Sequence, residues 1–134
     1  MRALILDTNI VLDAFVFNDA AATVLKQALI DKRLHWIATQ PMRDELERVL
    51  AYPQIVPRLT YCHLTARDVL RQFDKFAQLE SVAPKASITC KDPDDQKFID
   101  LAIAHKAILL SKDNAVLAMK KRLLVFGSQA QNAL

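Results

Sequence analysis

The sequence predicts an α/β fold in which helices cover both faces of a mainly parallel sheet. Short apolar runs alternate with segments of helical periodicity along all 134 residues, which is typical of such a sheet. The composition, with 52% apolar and 25% charged residues, is that of an ordinary globular protein. Glycine occurs once, at Gly127, and neither a linker nor an internal repeat interrupts the chain. We therefore expect a single domain spanning residues 1–134.

The strands are predicted from apolar runs that end abruptly. The first run, at 3–6, stops at Asp7. A strand buried on both faces of a parallel sheet has this continuous apolar character. Gly127 is expected to provide a turn after the last run. The predicted strands span 3–6, 34–38, 107–111 and 123–126.

The helices are predicted from apolar residues at helical spacing together with capping residues. Thr39, Thr65 and Asp92 precede three of them as caps, and prolines lie in the first turn after two of these caps, where a missing N–H costs nothing. Residues 53–57 are expected to form a short helical turn, and residues 81–90 an irregular segment with room for one short strand. The predicted helices span 10–17, 20–31, 40–51, 65–79, 93–106 and 114–122.

Two acids follow predicted strands directly, Asp7 after the first and Asp113 after the run at 107–111. Right-handed crossovers place the carboxyl ends of parallel strands at one edge of the sheet, where ligands of such folds bind. We therefore expect the two carboxylates at the same edge. The alternative is that each simply caps the helix that follows, since aspartate is a preferred cap.

Asp95 precedes Phe98 and Ile99 by three and four residues, so it shares the apolar face of its helix. A carboxylate that faces the core needs a partner, because burial of an unpaired charge is costly. The alternative is a favourable position at the positive end of the helix dipole. Glu45 lies beside the apolar stripe of its own helix, so it is the fourth candidate acid for the site. The alternative interpretation is that Glu45 forms a surface ion pair with Arg48.

Few basic residues are committed locally to these four acids, so gathering them in one cleft would require a cation. Mg²⁺ or Mn²⁺ prefers hard oxygen ligands and is typically held by a few carboxylates. A zinc site is disfavoured, because the three histidines show no ligand spacing. The acids therefore predict a magnesium or manganese site.

The bulk properties limit location and partners. A net charge of +3 permits an anionic partner without requiring one. Cys62 and Cys90 lack paired spacing and are expected to be reduced. The sequence carries neither a secretory signal nor an apolar run long enough to cross a membrane, so we expect a cytoplasmic protein without membrane contact.

The motifs together resemble the PIN-domain superfamily. Asp7-Thr8-Asn9 after the first strand, a helical Glu45, the segment Asp92-Pro93-Asp94-Asp95 with its following Phe and Leu-Ala, and Ser111-Lys112-Asp113 occur in the family's order. Within that superfamily, the chain resembles the bacterial branch of toxin components of toxin–antitoxin systems. The likeness spans nearly the whole chain.

The resemblance implies a three-layer α/β/α sandwich that binds Mg²⁺ or Mn²⁺ and hydrolyses RNA. It implies that the catalytic acids are Asp7, Glu45, Asp95 and Asp113. Of these, Asp7, Asp95 and Asp113 would be the metal ligands. It implies Asn9 and Ser111 as supporting residues, a small antitoxin as a protein partner, and a homodimer. Basic residues must hold the RNA backbone. The best placed by sequence are Lys112 and Lys91, and Arg43 is a further candidate.

The sequence departs from the family pattern at Ala115, where this branch often has a further acid. This departure supports an alternative function, a catalytically weak module of PIN fold that binds RNA or an antitoxin. A receiver-like signalling domain is disfavoured, because the acidic pair and the later strand-end lysine of that fold do not line up here.

Overall fold

The computed structural model describes residues 2–134, so Met1 lies outside the described residues. Within that range five parallel strands form one sheet with the order β3-β2-β1-β4-β5. Because the chain adds strands on one side of β1 before it crosses to the other, β1 and β4 flank the switch point where such sheets open a crevice. The strands are β1 (Arg2–Leu6), β2 (Leu34–Ala38), β3 (Gln78–Leu79), β4 (Ile108–Leu110) and β5 (Gln129–Gln131).

Helices flank this sheet and give the three-layer α/β/α arrangement that the sequence predicts. Thr65 begins its helix with a reciprocal capping box to Asp68, and Asp92 caps a single 3₁₀ turn, Pro93–Asp95. Asp7 caps the first helix directly, so that helix begins at Thr8 and not at the predicted Ile10. The helices are α1 (Thr8–Phe15), α2 (Ala22–Ile30), α3 (Gln40–Leu50), α4 (Val56–Tyr61), α5 (Ala66–Phe76), α6 (Gln96–His105), α7 (Asn114–Leu117) and α8 (Lys120–Val125).

The core lies on both faces of the central strands. Leu4, Ile5 and Leu6 of β1 are all buried, which confirms the interpretation of the first apolar run as a strand covered on both sides. Trp36 of β2 packs against the rings of Phe15 and Phe73. No helix among residues 2–134 is long and apolar enough to cross a membrane.

The prediction of a strand at 123–126 is wrong, because these residues belong to α8 and the turn after it. Leu123 is buried, whereas Leu124 and Val125 are 54% and 82% exposed. Val116, Met119 and Leu123 are the buried positions of this region, and their spacing is helical. A run of four apolar residues cannot by itself distinguish a strand from a helix. The true strand, Gln129–Gln131, has only Ala130 buried.

Two other predicted helices differ from the structure by more than small shifts of their ends. The helix predicted at 65–79 ends at Phe76, because Ala77 has extended backbone, and Gln78–Leu79 joins the sheet as β3. The helix predicted at 114–122 is divided into α7 and α8. Residues 80–92 are irregular, so the expected short strand lies just before this segment and not within it. Gly127 forms the expected turn with a φ of +81°.

Candidate active site

Asp7 lies at the carboxyl end of β1 and is 6% exposed. Its Oδ1 accepts a hydrogen bond of 2.7 Å from the backbone N–H of Thr8. Its Oδ2 accepts one of 2.7 Å from the hydroxyl of Ser111. Asp7 is therefore a helix cap through one oxygen and is held at the sheet edge through the other, so the two interpretations of this residue are compatible.

Ser111 and Asp113 extend the same edge from β4. Ser111 is fully buried, and its Oγ accepts a 3.0 Å hydrogen bond from the backbone N–H of Asp113 while it donates to Asp7. Asp113 in turn caps α7, because its Oδ1 accepts a 2.8 Å bond from the N–H of Ala115. The serine hydroxyl therefore links the ends of the two neighbouring strands.

Asp95 lies at this edge as the residue directly before α6, a helix that contacts β1 and β4. It ends the 3₁₀ turn, and Phe98 and Ile99 on the same face are buried, which confirms that this face is directed into the core. Asp95 itself is 7% exposed. Among the described residues its Oδ2 has no hydrogen-bond partner. A buried carboxylate oxygen without a donor is costly, so this atom is suited to a ligand.

The three aspartates converge at one point. One carboxylate oxygen from each of Asp7, Asp95 and Asp113 lies within 4.8 Å of the others. Burial, followed by the charges of the other two acids, raises the pKa of Asp95 to about 7. Burial also raises the pKa of Asp7, although hydrogen bonds from Ser111 and Thr8 oppose the shift. Hard oxygen donors crowded in this way fit a divalent cation such as Mg²⁺ or Mn²⁺.

Glu45 lies next to this cluster without belonging to it. Its Oε1 forms a 2.8 Å ion pair with Lys97 of α6, and its Oε2 accepts a hydrogen bond from the hydroxyl of Thr8. Among the described residues, its ion pair is with Lys97 and not with Arg48. The expectation that few basic residues are committed to the acids therefore does not hold at Glu45, which pairs with Lys97.

Thr8 and Lys97 are site residues that the sequence analysis missed. Thr8 adjoins Asp7, and Lys97 follows Asp95 by two residues. Thr8 is part of the Asp7-Thr8-Asn9 motif, and Lys97 is marked in the sequence only by its position near Asp95. Their shared partner, Glu45, is 37 and 52 residues away in the chain, so only the folded structure brings the three side chains together.

The remaining predicted residues lie around the cluster. Asn9 is an exposed residue of α1, and Lys91 is exposed beside the 3₁₀ turn. Lys112 forms ion pairs with Asp13 and Asp19. Arg43 makes two hydrogen bonds, of 2.8 and 2.9 Å, to Asp74. The roles of Asn9 in support and of the three basic residues in substrate binding stay predictions.

If Asp7 is a metal ligand, as the sequence predicts, replacing Ser111 by alanine should weaken Mn²⁺ binding about tenfold, because loss of a residue that orients a ligand typically costs about 10- to 100-fold. Ser128→Ala is the matched control. Ser128 is equally buried but donates to the carbonyl of Ala107, just before β4 begins, and its loss should leave metal affinity unchanged. Calorimetric titration of Mn²⁺ into both variants measures the effect, and equal affinities would contradict it.

The fold and the acids define an α/β domain with a site suited to a divalent cation at the carboxyl edge of its sheet. The family model described as the PIN domain matches residues 3–115, a range that contains all four predicted acids. The chain therefore belongs to the PIN-domain family, as the sequence motifs indicate. PIN domains are generally metal-dependent nucleases, so membership supports a hydrolase acting on nucleic acid. A search of curated proteins found no match.

Proposed function

We propose that this chain is a Mg²⁺- or Mn²⁺-dependent endoribonuclease. The observation that carries the proposal is the convergence of three carboxylates within 4.8 Å, one of them with a buried oxygen that lacks a donor among residues 2–134. Without a cation, this arrangement leaves like charges close together in a partly desolvated site. A divalent ion would compensate the charge and satisfy the free oxygen.

Asp7, Asp95 and Asp113 would hold the ion through their carboxylate oxygens. When bound, such an ion supplies activation of a water nucleophile and compensation of charge on the phosphate. Ser111 and the Thr8 amide keep the Asp7 carboxylate in one orientation, and Asp113 is held through its own helix cap. Attack by water, in place of the ribose 2′-hydroxyl, would leave a 5′-phosphate and a 3′-hydroxyl on the products.

The RNA backbone requires cations near the acids, because the acids themselves repel phosphates. Lys91 is exposed next to the turn that carries Asp95, which makes it the best placed of the three predicted residues. Lys112 is 49% exposed despite its ion pairs, and Arg43 retains partial exposure beside Asp74. We propose that these three residues contact the RNA backbone. We also propose that Asn9, at the start of α1, is a polar residue that supports the acidic site.

The biological setting is proposed from the resemblance of the motifs. It comprises a cytoplasmic toxin of a toxin–antitoxin pair, a small antitoxin as partner, and a homodimer as the assembled form. The alternative is a weakly catalytic binding module, and Ala115 favours it because this branch often has a further acid at that position. Here Ala115 supplies only a backbone N–H, which donates to Asp113.

The test is cleavage of end-labelled single-stranded RNA by the purified chain with Mn²⁺ or Mg²⁺. We expect internal cleavage that EDTA stops and that the combined Asp7→Asn, Asp95→Asn variant lacks. Single-stranded DNA of the same sequence is the comparison substrate. Cleavage that survives in the double variant would refute the assignment. Stable RNA binding without metal-dependent cleavage would favour the binding module.

A further inference from the structure

Glu45 connects the two chain segments that carry Asp7 and Asp95. One of its oxygens accepts the hydroxyl hydrogen of Thr8, the residue after Asp7. The other pairs with the ammonium of Lys97 at 2.8 Å, two residues after Asp95. A single carboxylate on α3 therefore bridges the start of α1 and the start of α6.

The connection to Asp95 is reinforced at the turn itself. The Nζ of Lys97 also donates to the carbonyl oxygen of Asp94, within the 3₁₀ turn that carries Asp95. The side chains of Lys97 and Glu45 are only 24% and 20% exposed, so the pair is shielded more than an ordinary surface ion pair. The Thr8 amide, in turn, donates to the Asp7 carboxylate. An unbroken chain of contacts thus runs from the Asp95 turn to Asp7.

This bridge opposes the electrostatic repulsion between Asp7 and Asp95. Asp7 and Asp95 are like charges in a partly desolvated site, and burial followed by the charge of Asp7 raises the pKa of Asp95. Their repulsion would push α1 and α6 apart when no cation lies between them. Because both oxygens of Glu45 have partners, its carboxylate is committed to the bridge.

We propose that Glu45 is a positioning residue, a clamp that works through Thr8 and Lys97 to hold Asp7 and Asp95 at the spacing a divalent cation requires. This inference rests on the proposed metal-dependent function and deepens it. It assigns to Glu45 a role through other residues, distinct from that of a metal ligand, and it adds Thr8 and Lys97 to the residues that shape the site.

The test is Mn²⁺ affinity, measured by calorimetry without RNA. Glu45→Asp keeps the negative charge but shortens the side chain, so that it cannot reach both partners. Thr8→Val removes the hydroxyl at nearly constant volume. We expect each variant to bind Mn²⁺ about tenfold more weakly, as for the loss of other partners of ligating residues. Thr8→Ser, which keeps the hydroxyl, should bind within about twofold of the wild type. Lys97 is left unchanged, because removal of its charge would itself alter cation affinity.

The double variant shows whether the residues act as one unit. Thr8→Val should weaken binding less than about twofold further in the Glu45→Asp background, since residues in one network are non-additive. Glu47→Asp, the same change at an exposed position of α3, is the control and should have no effect. Thermal unfolding of each variant checks that it folds. If Glu45→Asp fails to fold, the Mn²⁺ affinities of Thr8→Val and Thr8→Ser test the clamp.

The outcomes separate the clamp from the nuclease. Wild-type affinity in Glu45→Asp and Thr8→Val would overturn the clamp and leave the proposed function intact. The expected losses of Mn²⁺ affinity in a chain that cuts no RNA would overturn the nuclease and leave the clamp. A wild-type chain that binds no Mn²⁺ would overturn both.

Discussion

Replacing Asp95, a proposed metal ligand, by asparagine is expected to reduce Mn²⁺-dependent RNA cleavage at least about 100-fold, because loss of a residue that only orients a ligand already costs up to about 100-fold. The same substitution should stabilise the metal-free protein by about 1–3 kcal/mol, the cost of a buried polar group without a partner. Both effects arise from one atom. The Oδ2 of Asp95 is buried, has no hydrogen-bond partner among residues 2–134, and faces two other carboxylates.

The stability gain should depend on pH in a defined direction. The pKa of Asp95 is raised from 3.8 to about 7, so the folded protein binds this proton more tightly than the unfolded chain does. The wild-type protein therefore loses stability as the pH rises from about 4 to about 7. Asparagine does not titrate, so the advantage of the variant should grow across this interval and stay constant above pH 7. Urea unfolding in EDTA at several pH values measures it.

Asp94→Asn is the matched control for this prediction. Asp94 precedes Asp95 in the same turn but is exposed, and its carboxylate does not belong to the three-acid group. We expect both cleavage and stability to remain near those of the wild type. An Asp95→Asn variant that is less stable than the wild type at pH 8 in EDTA would contradict the view that this carboxylate is held at a cost to the fold.

Replacing Trp36 by alanine is expected to cost about 3–5 kcal/mol of unfolding free energy. Trp36 is 1% exposed. Its ring stacks on Phe15 at a centroid distance of 6.0 Å and meets Phe73 edge-on at 5.0 Å, so truncation would open a cavity between β2, α1 and α5. A domain stabilised by about 5–15 kcal/mol would lose a large share of that stability.

Urea unfolding followed by far-ultraviolet circular dichroism measures this loss, because the variant has no tryptophan left for fluorescence. Tyr61→Ala removes an aromatic ring that is 86% exposed and should change stability by no more than about 0.5 kcal/mol. Equal unfolding midpoints for the two variants would show that the packing around Trp36 is not a principal source of stability.

The sequence predicted the features that depend on local patterns. The apolar run at 3–6, the cap at Asp92 and the core-facing position of Asp95 follow from the order of residues along a few turns of chain. The last strand could not be predicted in the same way. Gln129–Gln131 has no apolar run of its own, and it is a strand because its backbone pairs with β4.

The sequence by itself determined the class of fold and the positions of Asp7 and Asp113 at strand ends, because apolar periodicity and the ends of apolar runs are properties of short stretches of chain. Only the tertiary structure decided that one oxygen of Asp95 has no hydrogen-bond partner within residues 2–134 and that Glu45 is bound by Thr8 and Lys97. Hydrogen bonds and ion pairs between distant residues depend on side-chain positions that the packing of helices against the sheet creates, and no local pattern in the chain records them.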